Sequence, residues 1–247
     1  MLRSHRIGIG LYSRTSGVLR RTSYFETDIS GPSTRGPELI GPDRPDLVLV
    51  NDDDLTYAKI RLDDHSLQTL VTSIGEFDSS LPAALCWAAA WDMTRDGEMA
   101  ARDYVRLVLG GAGSVQDISV VQTLLGQASL AVRRYADPSW RADGLALMAS
   151  SLRSLLLSAA PGSDHQLAYA RSFAGVAASA ADLELLTGLL SGAVVLDGLA
   201  VDTETVAATD AYLADGSLPA ALRRLLSEGR DDVLRSLRNQ ARDRAEA

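Results

Sequence analysis

The stretch Leu47–Asp63, LVLVNDDDLTYAKIRLD, divides the chain into two parts that have different sequence periods. Before it, apolar and polar residues alternate as in β-strands, whereas after it apolar residues recur every three or four positions as in helices. Within the stretch, Leu47–Val50 is an apolar run typical of a buried strand, and Thr56–Leu62 alternates like another strand. We expect Asp52–Asp54 between them to form an exposed acidic turn.

Two longer segments upstream also alternate as strands do. They are Arg6–Ser13 and Val18–Ser30, and the glycine-containing loop Arg14–Gly17 would join them as a hairpin. The first segment places large apolar side chains on one face and glycines or a tyrosine on the other, namely Ile7, Ile9 and Leu11 against Gly8, Gly10 and Tyr12. Repeated Gly-Pro pairs in residues 31–45 predict turns or an edge segment. We therefore expect residues 1–63 to form four or five strands, packed as a small sheet or as a partial β-sandwich.

From Asp64 onward the sequence predicts helices joined by short loops. The predicted helices cover His65–Ile74, a segment from Ser79 or Ser80 onward, Met99–Leu109, Ile118–Tyr135, a segment from Pro138 to about Ala159, and two further segments after Gly162. Asp64, Asp164 and Asp182 are the expected caps for three of them, and Gly192 is expected to end the last. Helices of moderate length favour an antiparallel α-solenoid of the HEAT type for residues 64–247. The expected fold class is thus mostly α with a small β part.

One hexapeptide, SLPAAL, occurs twice, at Ser80–Leu85 and at Ser217–Leu222. The repeat would be explained by two good helix starts in a chain that is rich in alanine and leucine. A solenoid whose units share the same helix start is the alternative explanation.

The composition excludes several functional classes. The formal net charge is −8, which argues against a general nucleic-acid-binding protein because such a protein needs a basic face. Cys86 is the single cysteine, so the chain has no internal disulfide and no multi-cysteine metal site, and a reducing cytoplasm fits best. No apolar run is long enough to cross a membrane, and the first residues lack the apolar region of a secretory signal.

The sequence contains no metal-binding motif. His5, His65 and His165 are its only histidines, and no two of them lie within one helical turn, as the H-E-x-x-H zinc motif requires. Counted from Asp52, the acidic turn places Tyr57 where a calcium-binding EF-hand loop needs glycine. The histidines are therefore interpreted as solvated or capping residues, and the aspartates as a surface turn.

Other groups of reactive residue types also have a structural explanation. Gly110–Ser114 follows a helix and lacks the lysine of a phosphate-binding loop, so it is interpreted as a helix end. Ser163-Asp164-His165 are sequence neighbours and cannot converge as a catalytic triad. Cys86 lies among alanines and tryptophans and is predicted to be buried. Arg235–Arg244 is interleaved with acidic residues and is predicted to be a solvated helix end.

The opening stretch resembles the strand–turn–strand that leads into the C-terminal helical domain of M1-family zinc aminopeptidases (the aminopeptidase N type), above all those of high-GC actinobacteria. The matching residues are Asn51, Asp52-Asp53-Asp54, Thr56-Tyr57-Ala58-Lys59 and Arg61-Leu62-Asp63. More distant members of that family also place an asparagine, an aromatic, a basic residue and an aspartate at the positions of Asn51, Tyr57, Lys59 and Asp63. We call these four residues the family-matching structural junction.

The helical part carries further matches to the same family. They are Leu81–Met93, Asp96-Gly97 and Arg102–Tyr104 near its start, and Thr209–Leu213, Leu222–Arg224 and Glu228–Asp231 near its end. In the relatives, several more helices separate the segment that ends near Asp202 from the one that starts near Val206. Residues 201–208 are therefore interpreted as a join across an internal gap.

The resemblance implies that this chain has no catalytic, metal-binding or cofactor-binding residues of its own. The family needs H-E-x-x-H to hold zinc and a G-A-M-E-N motif to hold the substrate amine, and neither occurs here. The chain would be the non-catalytic C-terminal portion of a zinc aminopeptidase, inactive alone, which in the whole enzyme would cap the zinc site and help to select peptides. A catalytic M1 domain, peptides or a second copy of the chain are the expected partners. A stand-alone α-solenoid scaffold or peptide-binding module is the alternative.

Overall fold

The structure is a computed structural model that describes residues 4–41 and 43–202, together with Ser227, Arg230, Asp231, Leu234 and Arg235. Its contacts group the chain into two compact units. The first unit is Met1–Val115 with Leu130–Ala136, and the second is Gln116–Ser129 with Asp137–Ala247. The first unit contains the strands and the helices that pack on them.

One antiparallel sheet of three strands lies in the first unit. The strands are β1 His5–Thr15, β2 Val18–Ile29 and β3 Leu47–Asp52, and their order in the sheet is β2-β1-β3. All three match predicted strands to within a few residues at their ends. The hairpin between β1 and β2 turns at Ser16 and Gly17, whose φ angles of 54° and 78° are left-handed, as a two-residue hairpin loop requires.

The two faces of the sheet differ in the size of their side chains, as the sequence predicts. On one face, a cluster of large apolar residues is centred on Ile7, Ile9 and Leu11. On the other face, β1 carries Gly8 and Gly10, at which an added side chain would collide with neighbouring residues. The second face therefore has room for side chains of the two neighbouring strands, β2 and β3.

The predicted strand over Thr56–Leu62 is wrong. These residues pair with no strand among the described residues. Ile60 and Leu62 are nevertheless buried, with 8% and 5% of their surface exposed, and the amide of Leu62 donates to the sulfur of Met93 at 3.4 Å. The apolar residues that alternate in the sequence therefore lie on one face of an irregular segment, and that face packs against the helix that contains Met93. Such a face can be buried without pairing to another strand.

Seven α-helices follow in the described part of the chain. They are α1 Asp64–Ser73, α2 Ser80–Arg95, α3 Ala101–Gly111, α4 Ile118–Leu130, α5 Arg141–Ser158, α6 Asp164–Ala174 and α7 Ala180–Ser191. A π-helical turn, Ala131–Tyr135, continues α4. Gly192, with a φ of 74°, ends α7 as predicted. The described chain is therefore mostly helical with a small antiparallel sheet.

Three helix caps differ from the predicted ones: Asp63 replaces Asp64, Ser163 replaces Asp164, and Ser179 replaces Asp182. In the last of these, a capping box forms in which the Ser179 hydroxyl accepts from the Asp182 amide and the Asp182 carboxylate accepts from the Ser179 amide. The predictions failed because an earlier residue with extended backbone already supplies the capping oxygen, so that each predicted aspartate lies inside the first turn.

Each unit has its own apolar interior. In the first, the Trp91 ring packs against the rings of Tyr104 and Tyr135, with centroid distances of 5.1 and 5.8 Å. Cys86 is completely buried there, as predicted. In the second, α5 packs on α6, and Phe173 is completely buried.

Some predictions concern residues outside the described part of the chain. The second SLPAAL hexapeptide lies there, as does the predicted join at 201–208 apart from Val201 and Asp202. The basic run Arg235–Arg244 also lies there, apart from Arg235. Among the described residues, no helix combines the length and the apolar composition that a membrane span needs.

Candidate functional site

A buried carboxylate organises the start of the family-matching junction. Asp52 ends β3 and is completely buried. Its Oδ2 accepts hydrogen bonds from the Tyr12 hydroxyl at 2.8 Å and from Nη1 of Arg21 at 3.1 Å, and its Oδ1 accepts from the Asp53 amide at 3.1 Å. The prediction of an exposed acidic turn is therefore wrong for Asp52, whose charge is compensated inside the fold. It is confirmed for Asp53 and Asp54, which are exposed.

Two glycines of β1 make this arrangement sterically feasible. A Cβ atom on Gly10 would lie 2.1 Å from Oδ2 of Asp52, and one on Gly8 would lie 2.4 Å from the Asp52 carbonyl oxygen. Because β1 lies between β2 and β3, Arg21 and Asp52 can meet only above these positions. We call Asp52, Tyr12, Arg21, Gly8 and Gly10 the Asp52 cluster. The alternating glycines are the one signal of the cluster in the sequence, and by themselves they indicate only a strand pattern.

Burial, with a smaller contribution from Asp52, raises the pKa of two neighbouring side chains, Tyr12 and Cys86. Burial, and then the hydrogen bond to Asp52, raise the pKa of Tyr12 far above its ordinary value. Burial also raises the pKa of the Cys86 thiol, and the charge of Asp52 adds to the effect. A buried, protonated thiol is a poor nucleophile because the thiolate is the reactive form. We therefore interpret the cluster as a structural element and not as a catalytic one.

Asn51 closes the turn that follows β3. Its φ of 62° is left-handed, a conformation that asparagine tolerates better than most residues other than glycine. Its side-chain nitrogen donates to the carbonyl oxygen of Thr56 at 2.7 Å, and its side-chain oxygen accepts from the Thr56 amide at 3.1 Å. Asn51 therefore fixes the direction in which the chain leaves the sheet and satisfies its own buried amide.

Lys59 and Arg61 bind carboxylates that follow α2. The Lys59 amino group lies 2.9 Å from Oδ2 of Asp96, and Arg61 contacts both Asp96 and Glu98. These side chains stay partly exposed, to 60% for Lys59 and 33% for Asp96. The hydrogen bond from Lys59, helped by Arg61, holds the pKa of Asp96 below its ordinary range. We call Lys59, Arg61, Asp96 and Glu98 the Asp96 cluster.

Asp63 connects the junction to α1 and to the sheet. Its Oδ1 accepts from the amides of His65 and Ser66 at 3.1 and 3.2 Å, and its Oδ2 accepts from the Ser66 hydroxyl at 2.5 Å. The same hydroxyl accepts from the amide of Val48 in β3 at 3.0 Å. Partial burial alone would raise the pKa of Asp63, but these hydrogen bonds hold it below its ordinary value. Asp63 thus positions α1 along one edge of the sheet.

Tyr57 differs from the other three junction residues. Its side chain is fully exposed, and it makes no hydrogen bond or ring contact within the described residues. The structure therefore gives Asn51, Lys59 and Asp63 a role in holding the fold together, whereas the aromatic residue of the set projects into solvent.

The three histidines make separate local contacts. His5 lies 2.7 Å from the Thr56 hydroxyl, the ring of His165 packs against Tyr169 at 6.1 Å, and His65 lies in the first turn of α1. In the part of the chain that the structure describes, no group of three His, Cys, Asp or Glu residues could hold a metal ion. The described residues therefore do not fit a zinc ion.

A groove of about 500 Å³ opens on the second unit, between α4, α5 and α6. Leu125 and Met148 lie at its base and are almost completely buried, and Gln122 adds an amide. Arg171 also lines it and binds the carboxylate of Asp202, with Nε 3.1 Å from Oδ2. Apolar surface with a few polar groups is the usual lining of a ligand site. We call this feature the α4–α6 groove.

A second groove, of about 540 Å³, lies on the first unit between α1 and the start of α3. Three carboxylates stand at its rim, on Asp64, Glu98 and Asp103. Arg61 contacts Glu98, and Arg106 lies 3.2 Å from Asp103. Because two of the three carboxylates already have a cationic partner, the groove offers less charge to a ligand than its composition suggests.

Comparison with known proteins gives two similarities. Residues 47–204 match the model of the family described as ERAP1-like C-terminal domain. The chain is also 50% identical over 204 residues to a Streptomyces lividans protein named "Aminopeptidase N". That match covers 82% of this chain and 24% of the relative, so the chain spans about a quarter of the relative's length. The predicted resemblance to the C-terminal region of an M1-family zinc aminopeptidase is thereby confirmed, and the family match includes all four junction residues.

Proposed function

The chain belongs to the ERAP1-like C-terminal domain family, and from that premise we propose that it is a non-catalytic C-terminal portion of an M1-type zinc aminopeptidase. In the whole enzyme, it would cover the zinc site and help to select the peptides whose N-terminal residue is removed. The observation that carries the proposal is the identity of 50% over 204 residues to an aminopeptidase N. A catalytic M1 domain is accordingly the proposed partner.

Zinc chemistry would belong to residues outside this chain. An enzyme of this kind holds zinc with H-E-x-x-H, and the sequence has no such motif. The described residues also offer no alternative group of three ligands. The contribution proposed for this chain is to shape the cavity around the metal and to limit which peptides reach it.

The proposed architecture follows the sequence predictions. Residues 1–63 would belong to a β-sandwich, residues 64–247 would form a HEAT-like helical cap, and residues 201–208 would mark an internal join. In support, the strands end at Asp52 and the first helix begins at Asp64. A cytoplasmic location accords with the single cysteine, which is buried and unpaired by any disulfide.

The α4–α6 groove is the proposed contact for peptides. A bound polypeptide needs polar groups that bind its backbone. The groove offers them through Gln122 and Arg171, above a base that includes the almost completely buried side chains of Leu125 and Met148. The planar guanidinium of Arg171 can bind a carbonyl or a carboxylate oxygen, in competition with Asp202.

Segment exchange in the Streptomyces lividans relative tests the proposal. Its matched segment would be replaced by this chain, and the chimera would be assayed on an aminoacyl-anilide and on a long peptide. We expect the chimera to cleave both. Arg171→Gln in the chimera should lower kcat/KM for the long peptide several-fold and leave anilide cleavage unchanged, because the proposal assigns the groove to peptide residues beyond the one that is removed. An equal loss on both substrates would contradict a role of the groove in peptide selection.

The isolated chain supplies the complementary test. We expect the purified protein to cleave no aminoacyl-anilide, and chelator-sensitive cleavage would overturn the proposed non-catalytic role. The stand-alone scaffold or peptide-binding module predicts a different result for the chimera, namely that it is inactive although the isolated chain binds extended peptides in a calorimetric titration.

A further inference from the structure

The segment that follows α7 returns along α6. It comprises residues 196–202, and we call it the strap. Two contacts place it, because Nε2 of Gln166 donates to the carbonyl oxygen of Asp197 at 3.2 Å and Nε of Arg171 donates to Oδ2 of Asp202 at 3.1 Å. The partners are 31 positions apart in both contacts, so the strap follows α6 in the direction from Gln166 to Arg171.

The end of the strap beside Gln166 is firmly anchored. Gln166 is 4% exposed, and both atoms of its amide are used, since Oε1 accepts from the Gly162 amide at 2.9 Å and Nε2 binds the strap. Gly198 also approaches Gly162 so closely that a Cβ atom on Gly198 would lie 2.3 Å from the Gly162 nitrogen. Release of this end would leave a buried amide without its partner, which is costly.

The end of the strap beside Arg171 is easier to release. The side chains of Arg171 and Asp202 are each 29% exposed, so water and salt compete with their ion pair. Nε and Nη2 of Arg171 bind the same oxygen of Asp202, Oδ2. A carboxylate that offers both of its oxygens in parallel forms a stronger, bidentate pair with a guanidinium. A ligand carboxylate can therefore compete with Asp202 for Arg171.

The strap is long enough to open at this end alone. The five residues that lead from Asp197 to Asp202 could span about 17 Å if fully extended. Their partners on α6, Gln166 and Arg171, are separated by a helical rise of only about 7.5 Å. Every residue of the strap is exposed or partly exposed, so its movement uncovers little apolar surface. Asp202 can therefore leave Arg171 while the anchored end stays in place.

We propose that the strap controls access to Arg171 in the α4–α6 groove. Arg171 lines the groove, and Asp202 holds its guanidinium when the strap is closed. A ligand that carries a carboxylate takes the place of Asp202, and the anchored end brings Asp202 back when the ligand dissociates. That this ligand is a peptide rests on the proposed function, whereas the release of Asp202 rests only on the contacts of the strap.

Chemical labelling of Arg171 in the full chain tests the release without any ligand. Phenylglyoxal modifies accessible guanidinium groups, and mass spectrometry of the digested protein measures the rate at Arg171. Asp202→Asn should raise this rate at least about threefold, because the charge that holds the guanidinium is gone. Asp197→Asn is the matched control, since it removes the same charge from the strap but keeps the carbonyl oxygen that binds Gln166. Equal rates in these two variants would overturn the proposal.

A pair of glycine variants tests the anchored end. Gly198 and Gly192 both have left-handed φ angles, 70° and 74°, so alanine strains the backbone at either position. A collision is added only at Gly198, because nothing lies within 4 Å of a Cβ atom on Gly192. We expect Gly198→Ala to speed the labelling of Arg171 and Gly192→Ala to leave it unchanged. Similar rates would exclude the anchored end, and the aspartate pair decides the release of Asp202 even if Gly198→Ala does not fold.

Calorimetric titration separates the strap from the proposed function. The probes are a neutral peptide with a free C-terminal carboxylate, its C-terminal amide, and the same amide with one internal glutamate. Asp202→Asn should lower the Kd several-fold for a carboxylate-bearing peptide and leave that of the neutral amide unchanged, and the two carboxylate peptides distinguish a terminal group from a side chain. An equal gain for all three would overturn the competition with Asp202. If no peptide binds while the labelling rates are as expected, the peptide role of the groove is contradicted and the release of Asp202 is supported.

Discussion

Asp52 and Asp96 each bind two donors from other parts of the first unit, but one is buried and the other is exposed. Asp52 is completely buried and binds Tyr12 and Arg21. Asp96 keeps 33% of its side chain exposed and binds Lys59 and Arg61. Water can replace a lost partner at Asp96, whereas a partner lost at Asp52 leaves a polar atom inside the fold. Burial, and not the number of ion pairs, therefore decides which of the two clusters contributes more to the free energy of unfolding.

Both clusters involve the stretch Leu47–Asp63. Asp52 lies at the end of β3, and Lys59 and Arg61 lie a few residues further along. If the ranking by burial is right, substitutions in the Asp52 cluster should destabilise the protein, and matched substitutions in the Asp96 cluster should not.

The largest effect is expected from Gly10→Ala. The new Cβ would lie 2.1 Å from Oδ2 of Asp52 and 2.7 Å from the Tyr12 ring, so the cluster would have to move. Overpacking of this kind typically costs about 3 kcal/mol of unfolding free energy, measured by urea titration. Gly126→Ala in α4 is the control, because nothing lies within 4 Å of its added Cβ, and it should stabilise the helix by about 0.5 kcal/mol or more. Equal effects of the two variants would contradict the comparison.

Tyr12→Phe should have the next largest effect. It removes the 2.8 Å hydrogen bond to the buried Asp52 carboxylate without changing the shape of the ring. A hydrogen bond to a charged group contributes about 1.5–3 kcal/mol, and urea titration near neutral pH measures the loss. A change too small to resolve would indicate that water enters the cluster and that Asp52 is not buried in solution.

The same variant makes the pH dependence of stability testable. The folded protein holds the Tyr12 proton more tightly than the unfolded chain does, because burial and Asp52 raise the pKa of Tyr12. Its contribution is therefore fully present below the ordinary tyrosine pKa of 10.0 and is lost as the pH rises above it. Stability should fall more steeply above pH 10.0 in the native protein than in Tyr12→Phe. Parallel pH curves would show that Tyr12 titrates normally.

Asp63→Ala should have an intermediate effect. It removes the N-cap of α1 and the hydrogen bond that the Ser66 hydroxyl donates to Asp63, while the same hydroxyl can still accept from the Val48 amide. Loss of a cap costs about 1 kcal/mol, and Asp63→Asn should retain most of the stability because asparagine caps nearly as well. The lowered pKa of Asp63 means that its contribution is present above the pKa of the unfolded chain and is lost as the pH falls through the folded value. An alanine variant as stable as the asparagine variant would exclude the capping role.

The smallest effect is expected from Lys59→Ala. Lys59 is 60% exposed, so solvent screens its ion pair with Asp96 and replaces it when it is lost. We expect no resolvable change in the urea midpoint, and any small change should vanish when salt is added. A loss of unfolding free energy as large as that of Tyr12→Phe would show that exposure does not decide how much each cluster contributes to stability.

The sequence predicts those parts of the fold that depend on nearby residues. The alternation in β1 and the Ser16-Gly17 hairpin loop are of this kind, and so is the end of α7 at Gly192. Two predictions from the sequence are wrong in the junction, namely that Asp52 is exposed and that Thr56–Leu62 is a strand. Both concern what a segment packs against. The periodicity of a sequence indicates that one face of a segment is apolar, but it does not indicate whether a strand or a helix covers that face.

By itself, the sequence of this protein determined the order of strands and helices, the absence of an H-E-x-x-H motif and the similarity to M1-family aminopeptidases. Only the tertiary structure decided that Asp52 is buried, because its partners Tyr12 and Arg21 lie 40 and 31 positions away. The tertiary structure also decided that α1 covers the β3 edge, through the hydrogen bond from the Val48 amide to the Ser66 hydroxyl. Local pattern cannot fix such features, because they depend on which distant side chains the folded backbone brings within hydrogen-bonding distance.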